Sequence, residues 1–226
     1  MKKTLAILIL TTLMGVNSVV FAQEAEEVSS PFSVGADVYS NYVWRGTKFG
    51  VGPAIQPFVE FSAGNFTLGS WGSFCFTSSE GAEADLYASY SFDFGLSIGI
   101  TDYYYPGLMY FDYSKETGAH ALELNLGYEI SGLSLAGNYV LNEAGGAASA
   151  GGDMYFELGY SFTNIDLFVG GGDGWHTSDG EFNLCNVGIG TSKEIKVSDS
   201  FSLPVSGAVI LNPDKEQFYV VVGFSL

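Results

Sequence analysis

Positive charge is what this sequence has least of: 8 Lys and Arg stand against 25 Asp and Glu in 226 residues, a formal −17. That balance excludes nucleic acid as a partner, because phosphate binding runs on neutralisation by basic side chains. A helical period is missing too; beyond the N-terminus no window repeats its apolar residues every 3.6 positions. Charge of either sign is scarce, at 15%, and no commoner than aromatic residues, also 15%. With 30 glycines and a mean hydropathy of +0.22, much of this surface is suited to something other than water.

The one apolar run opens the chain. Lys2 and Lys3 precede TLAILILTTLM, and Val20-Phe21-Ala22 ends it with a small residue. This predicts a secretory signal peptide over 1–22, too short and wrongly flanked for a spanning helix. No Cys lies near the cleavage point, which argues against a lipid anchor. Removal of Lys2 and Lys3 with it leaves 6 basic and 25 acidic residues, a formal −19. Residues 23–31 are a short acidic segment, and 32–226 form one domain.

That domain reads as a train of alternating segments. Residues 85–94 set Leu86, Ala88, Tyr90, Phe92 and Phe94 against Asp85, Tyr87, Ser89, Ser91 and Asp93, and 153–162 repeat the pattern. Period two with aromatic enrichment predicts strands. Twelve segments can be counted, at about 32–45, 54–63, 66–77, 85–94, 96–102, 119–130, 133–141, 153–162, 165–170, 181–192, 201–211 and 217–226. Segment 181–192 fits either facing and invites a bulge. Tight turns such as Gly64-Asn65 and Ser131-Gly132 alternate with longer loops. Short turns at one end and long loops at the other predict an all-β fold, a transmembrane antiparallel up-and-down β-barrel of twelve strands in the bacterial outer membrane. In hydrocarbon every backbone polar group must be paired, which only helices and closed barrels achieve. The last segment places Phe218, Val220, Val222, Phe224 and Leu226 on one face. It resembles the C-terminal insertion signal of outer-membrane proteins, read by the barrel-insertion machinery, although those usually end in an aromatic residue.

The inward faces collect Asp37, Glu60, Asp85, Asp93, Glu123, Glu129, Asp153, Glu157 and Asp166, and Arg45 is the one inward cation. A water-filled lumen lined this way concentrates cations. Trp71 and Tyr87, with Tyr39, Phe58, Tyr155, Phe168 and Tyr219, also point inward and predict a narrow or partly plugged channel. At the end of the first segment, Tyr42 and Trp44 are expected to face lipid at the outer interface. Arg45 then points into the mouth, either as a salt bridge pinning the first strand or as a charged element of the pore.

The stretch SVGADVYSNYVWRGTKFGVGPAIQPFVEF, with Tyr42-Val43-Trp44-Arg45-Gly46 and Gln56-Pro57, resembles the TorF-type porins of Gram-negative outer membranes. GGGDGW followed by NVGIGTSKEI is a second, weaker match. The resemblance implies an outer-membrane barrel acting as a channel, and names no substrate. A non-conducting structural or adhesive barrel is the alternative. An outer-membrane phospholipase would need a nucleophile beside a base; neither His120 nor His176 has a suitably spaced Ser, so no catalytic residues are assigned. Asp173, Asp179 and Glu181 fail the EF-hand spacing, and no metal or other cofactor is expected. Cys75 and Cys185 fall on the third and tenth strands, too far apart around the ring for a disulfide. Small solutes or cations, and the outer-membrane lipid, are the expected partners.

Overall fold

The computed structural model describes residues 30–226; the expected signal peptide and nearly all of the acidic segment lie outside these. Fourteen strands follow in chain order: β1 (Phe32–Tyr39), β2 (Tyr42–Trp44), β3 (Thr47–Phe49), β4 (Ala54–Ala63), β5 (Phe66–Cys75), β6 (Glu83–Ser91), β7 (Leu96–Tyr104), β8 (His120–Ile130), β9 (Leu133–Val140), β10 (Met154–Ser161), β11 (Asp166–Gly172), β12 (Asn183–Lys196), β13 (Ser202–Asn212) and β14 (Gln217–Ser225). Twelve of them, all but β2 and β3, close into an antiparallel barrel in which each strand pairs with its neighbours in sequence, and β1 meets β14. No described helix is long and apolar enough to cross a membrane; the barrel's strands are the elements that can.

The wall is inverted relative to a water-soluble barrel. Leu86, Ile98, Ile100, Leu126, Phe156, Leu158, Val209 and Val220 are large, apolar and exposed on the outside. Asp85, Ser89, Thr101, Glu123, Asn138 and Ser206 are buried inside. A continuous apolar belt of this kind far exceeds what a soluble surface tolerates, and a lipid layer is the solvent that removes its cost.

The connections follow the local chemistry. Ser131 and Gly132, with φ of 51° and 87°, make the two-residue turn between Ile130 and Leu133, the primed geometry whose twist suits a hairpin. The doubtful segment 181–192 does carry a bulge: Asn186 pairs with Gly170 and Leu184 with Gly171, leaving Cys185 unpaired and buried. Cys75 and Cys185 are free thiols on the third and tenth barrel strands.

Several inward rings lie flat along the wall rather than across the lumen. A Cβ at Gly69 would collide with the Tyr87 ring, one at Gly188 with Phe168, and one at Gly223 with Tyr39. The glycine-rich inner face therefore makes space for aromatic rings on the adjacent strand. What fills the lumen comes from elsewhere in the chain.

Candidate functional site

After Tyr39 the chain leaves the wall. Ser40 N–H makes a bond to Val222 O (2.8 Å), a bend follows, and residues 42–44 pair with 47–49 instead of with a barrel strand. The turn of this hairpin is Arg45-Gly46, with φ of 48° and 77°. Glycine is at home there, whereas an arginine in the left-handed region is uncommon and carries a cost on the order of 1 kcal/mol or more. Gly46 is required for space as well as for φ, since a Cβ would overlap the Cys185 carbonyl.

The hairpin lies inside the barrel, which overturns the expectation for Tyr42 and Trp44. Instead of facing lipid, both are buried, at 1% and 6% exposure, and so is Val43 between them. Consecutive residues of a wall strand alternate between lumen and lipid, but a hairpin surrounded by protein buries both faces. Trp44 packs edge-on against Tyr103 and Trp175, and Tyr42 packs on Phe49 and Trp71.

Polar anchors hold it there. Arg45 donates from Nη1 and Nη2 to the two carboxylate oxygens of Glu123 on β8 (2.6 and 2.8 Å), both side chains being nearly inaccessible. Its guanidinium also lies between the Trp44 and Tyr155 rings, 4.4 and 4.6 Å from their centroids, a desolvated cation–π arrangement. Glu123 accepts further bonds from the Tyr103 hydroxyl (2.9 Å) and Asn125 Nδ2 (2.7 Å). The Tyr42 hydroxyl donates to Glu83 on β6 (3.1 and 3.2 Å). Asn212 Nδ2 donates to Gly46 O, and Lys215 Nζ to Thr47 Oγ1, both at 2.9 Å. Of the two sequence readings of Arg45, the salt bridge is the one observed, but it pins a lumen hairpin and not the first wall strand. Trp44 Nε1 and Arg45 Nε are buried without an acceptor.

The loop between β11 and β12 completes the plug. Its 3-10 turn, Gly174–His176, brings Trp175 and His176 onto Trp44. Trp175 Nε1 donates to His176 Nε2 (3.0 Å), so that nitrogen is unprotonated. Burial, reinforced by Arg45 and Lys215, pushes the imidazole down to about 2. The acids of this loop accept from backbone: Asp173 from Met154 N–H at the start of β10, and Asp179 from Glu181 N–H within the loop. Among the described residues no three His, Cys, Asp or Glu side chains form a metal cluster. His120 has Asp102 at Nδ1 (2.9 Å) and the Tyr110 carbonyl at Nε2, so a carbonyl occupies the place a nucleophile would take.

The remaining inward residues divide into two groups. Asp85 and Trp71 lie beside the hairpin. Asp37, Glu60, Tyr87, Glu129, Glu157 and Asp166 lie on the inner face outside it, toward the short-turn end or between the two, with Tyr87 donating to Glu60 (2.6 Å) and Asn186 to Glu157 (2.9 Å). Asp93 is a correction: β6 ends at Ser91, and Asp93 sits exposed in the turn, accepting from Asn65 Nδ2 (3.0 Å). Asp153, expected on a strand, caps Trp175 N–H from the loop before β10 (3.2 Å).

A family model described as a bacterial protein of unknown function, Gcw_chp, matches residues 24–203. The chain belongs to the Gcw_chp family. The matched span includes the hairpin, Glu83, Glu123 and His176. No curated protein matches significantly. Among solved structures, a mutant of the Rh. blastica porin is 14% identical with a TM-score of 0.41, over 76% of this chain and 55% of that one. The chain thus spans about half of that porin's length. The calcium-bound outer membrane phospholipase dimer of Salmonella typhi is 13% identical with a TM-score of 0.44, over 89% of this chain and 93% of that one. The outer membrane phospholipase A of Escherichia coli gives 13% and 0.44, over 86% and 95%. None of these likenesses carries a function to this Gcw_chp member.

Sequence reasoning missed Glu83, Tyr103, Trp175, His176 and Asn212 as members of the site. Glu83 had a signal, since it continues the inward period of Asp85 and Tyr87 by one step. The other four meet the hairpin only through tertiary structure.

Proposed function

We propose that this Gcw_chp protein is an outer-membrane channel for small solutes, narrow and cation-preferring, with the 42–49 hairpin as its constriction. The observation that carries the reading is the charge of the inner face once the Arg45–Glu123 pair has neutralised itself. Asp37, Glu60, Glu129, Glu157 and Asp166 then line the wall with no cationic side chain bonded to them. Carboxylates in a low-dielectric tube raise the local concentration of cations and repel anions. The long-loop end, where the hairpin sits, is the outer mouth in this reading, and the short turns face the periplasm. Phe218, Val220, Val222 and Phe224, on the outer face of β14, with Leu226 just after it, serve as the insertion signal. The kinship with TorF-type porins suggested by residues 33–61 belongs to the same proposal.

The hairpin is tethered at both ends to the barrel and holds two donors that no acceptor satisfies, which reduces the free energy needed to move it. Planar-bilayer recording of the refolded protein tests the reading. Discrete steps with a cation-selective reversal potential are expected, and the joint replacement Asp37→Asn, Glu60→Gln and Glu157→Gln should bring the potential toward zero. Anion selectivity in the wild type, or no steps under any condition, would refute it.

A further inference from the structure

Beneath the hairpin, Glu83 and Asp85 stand two residues apart on the inner face of β6, each only 2% exposed. Neither carboxyl has a cation. Arg45, the charge nearest to them on the hairpin, gives both terminal nitrogens to Glu123. Glu83 receives only the Tyr42 hydroxyl. Both Asp85 oxygens are buried without a hydrogen-bond donor; what approaches them is the Tyr104 backbone N–H, outside bonding geometry, and the Glu83 carboxyl itself. Two ionised carboxylates side by side in a dry site would repel each other and forfeit their hydration. One proton removes both penalties, because a protonated carboxyl becomes a donor to its neighbour and supplies the partner that Asp85 lacks.

We propose that Glu83 and Asp85 form a binding site for a single shared proton, and that this proton latches the hairpin through Tyr42. The proton is held between one oxygen of each residue, and on release it passes to water as the pair becomes doubly ionised. Two charges then sit under the hairpin, and undocking, which admits water, is what relieves them. The other titratable or charged groups around the pair are Tyr42 and Arg45 on the hairpin, Tyr103 on β7, Tyr105 just after it, Glu123 on β8, and Asp102 on the outer face of β7. β5 contributes the neutral Ser73 and Trp71 beside the pair and, packed against the cluster that holds Tyr42, the Cys75 thiol. Within this set Arg45 is the only cation, and it is committed to Glu123.

This latch rests on the hairpin being a movable constriction, so it is read without conductance first. Infrared spectra of the full barrel in detergent should show the carbonyl stretch of a protonated carboxyl at neutral pH, lost in Asp85→Asn. The three tryptophans of the chain, Trp44, Trp71 and Trp175, all line the hairpin, so their quenching by acrylamide reports docking. Between the ordinary carboxylate range near pH 4 and the pH at which the docked pair gives up its proton, the docking equilibrium should fall about tenfold per pH unit and then level off, followed to about pH 9 to stay below tyrosine ionisation. Asp85→Asn, which supplies a neutral donor, should abolish that dependence; Glu83→Gln serves if the first variant does not fold. Absence of the protonated-carboxyl band in the wild type overturns the proposal. So does its replacement by a metal: stabilisation of docking by added calcium, reversed by chelation, with no such band. Conductance is scored separately. A barrel with the band and pH-dependent docking, yet silent in bilayers at every pH, would refute the channel and leave the latch standing.

Discussion

Replacing Glu123 with Gln isolates the interaction that holds the hairpin tip. The glutamine keeps the side chain's shape but turns one carboxylate oxygen into an NH2 group facing the Arg45 guanidinium. Glu123 now accepts from Arg45 twice, from Tyr103 and from Asn125, at 2.6 to 2.9 Å; glutamine can accept at one oxygen only. Arg45 is left charged, buried and unpaired, and breaking a buried ion pair in this one-sided way costs about 3–5 kcal/mol. At about 1.4 kcal/mol per decade, docking should weaken by two to more than three decades. The rings of Trp44 and Tyr155 still flank the guanidinium, and at about 2 kcal/mol when desolvated they keep the loss toward the lower figure. The hairpin should therefore undock at urea concentrations that leave the wall intact. Tryptophan emission would shift to the red and become quenchable while the far-ultraviolet β signal stays unchanged. A volume-matched apolar pair, Arg45→Met with Glu123→Leu, should recover docking, because replacing a whole buried pair is often neutral or stabilising. The methionine would occupy the same left-handed turn position as the arginine, leaving the backbone contribution similar. If Glu123→Gln shifts docking by less than about 1 kcal/mol, the size of an exposed pair, then the ion pair is not what secures the hairpin.

Gly46→Ala should be as disruptive as Glu123→Gln by the same tryptophan readout, since its φ is 77° and its Cβ would enter the Cys185 carbonyl; normal docking would show that the tip does not seat there. Mass spectrometry under non-reducing conditions should find Cys75 and Cys185 as thiols, Cys185 resisting alkylation until the hairpin leaves; a bridge between them would contradict the strand order. His176 is neutral in the fold and binds a proton near 6.5 when unfolded or exposed. Its contribution is thus complete above about pH 6.5 and declines as pH falls toward 2. Acidification to about pH 5 should loosen the 173–182 loop by about 2 kcal/mol, and an equal loss in His176→Phe would assign the effect to another group.

The wall was legible because its determinants are local. Period-two alternation marked all twelve barrel strands, and the turns at Gly64-Asn65 and Ser131-Gly132 stand where the turn residues placed them. Asp93 was misplaced for a local reason as well: the alternation runs on through Phe92 and Phe94, although pairing ends at Ser91. The hairpin was not legible from alternation, since Tyr42 and Trp44 fall on the same face as Val34, Ala36 and Val38, with only Ser40 interrupting the apolar period. What distinguishes it is where its partners lie, with Glu83 and Glu123 respectively 41 and 78 residues further along the chain.

Length was the signal available. A first strand over 32–45 would run about 46 Å at roughly 3.3 Å per residue, whereas an apolar band of about 25 Å crossed at about 45° needs about 35 Å of strand. The excess has to go somewhere, and β12, at 14 residues, shows the other solution. From Thr191 onward β12 and the turn after it, through Ser200, are exposed on both faces, with Lys193, Glu194 and Lys196 among them. A segment of that composition can project into water. Tyr-Val-Trp cannot do so without exposing two large rings and a valine, about 2 kcal/mol or more for each side chain. The arginine that follows needs an anion if it is to be buried with them. Turned back into a lumen that offers Glu83 to Tyr42 and Glu123 to Arg45, the same residues satisfy both demands. The overlong first strand therefore becomes a plug while the overlong tenth becomes a projecting ribbon.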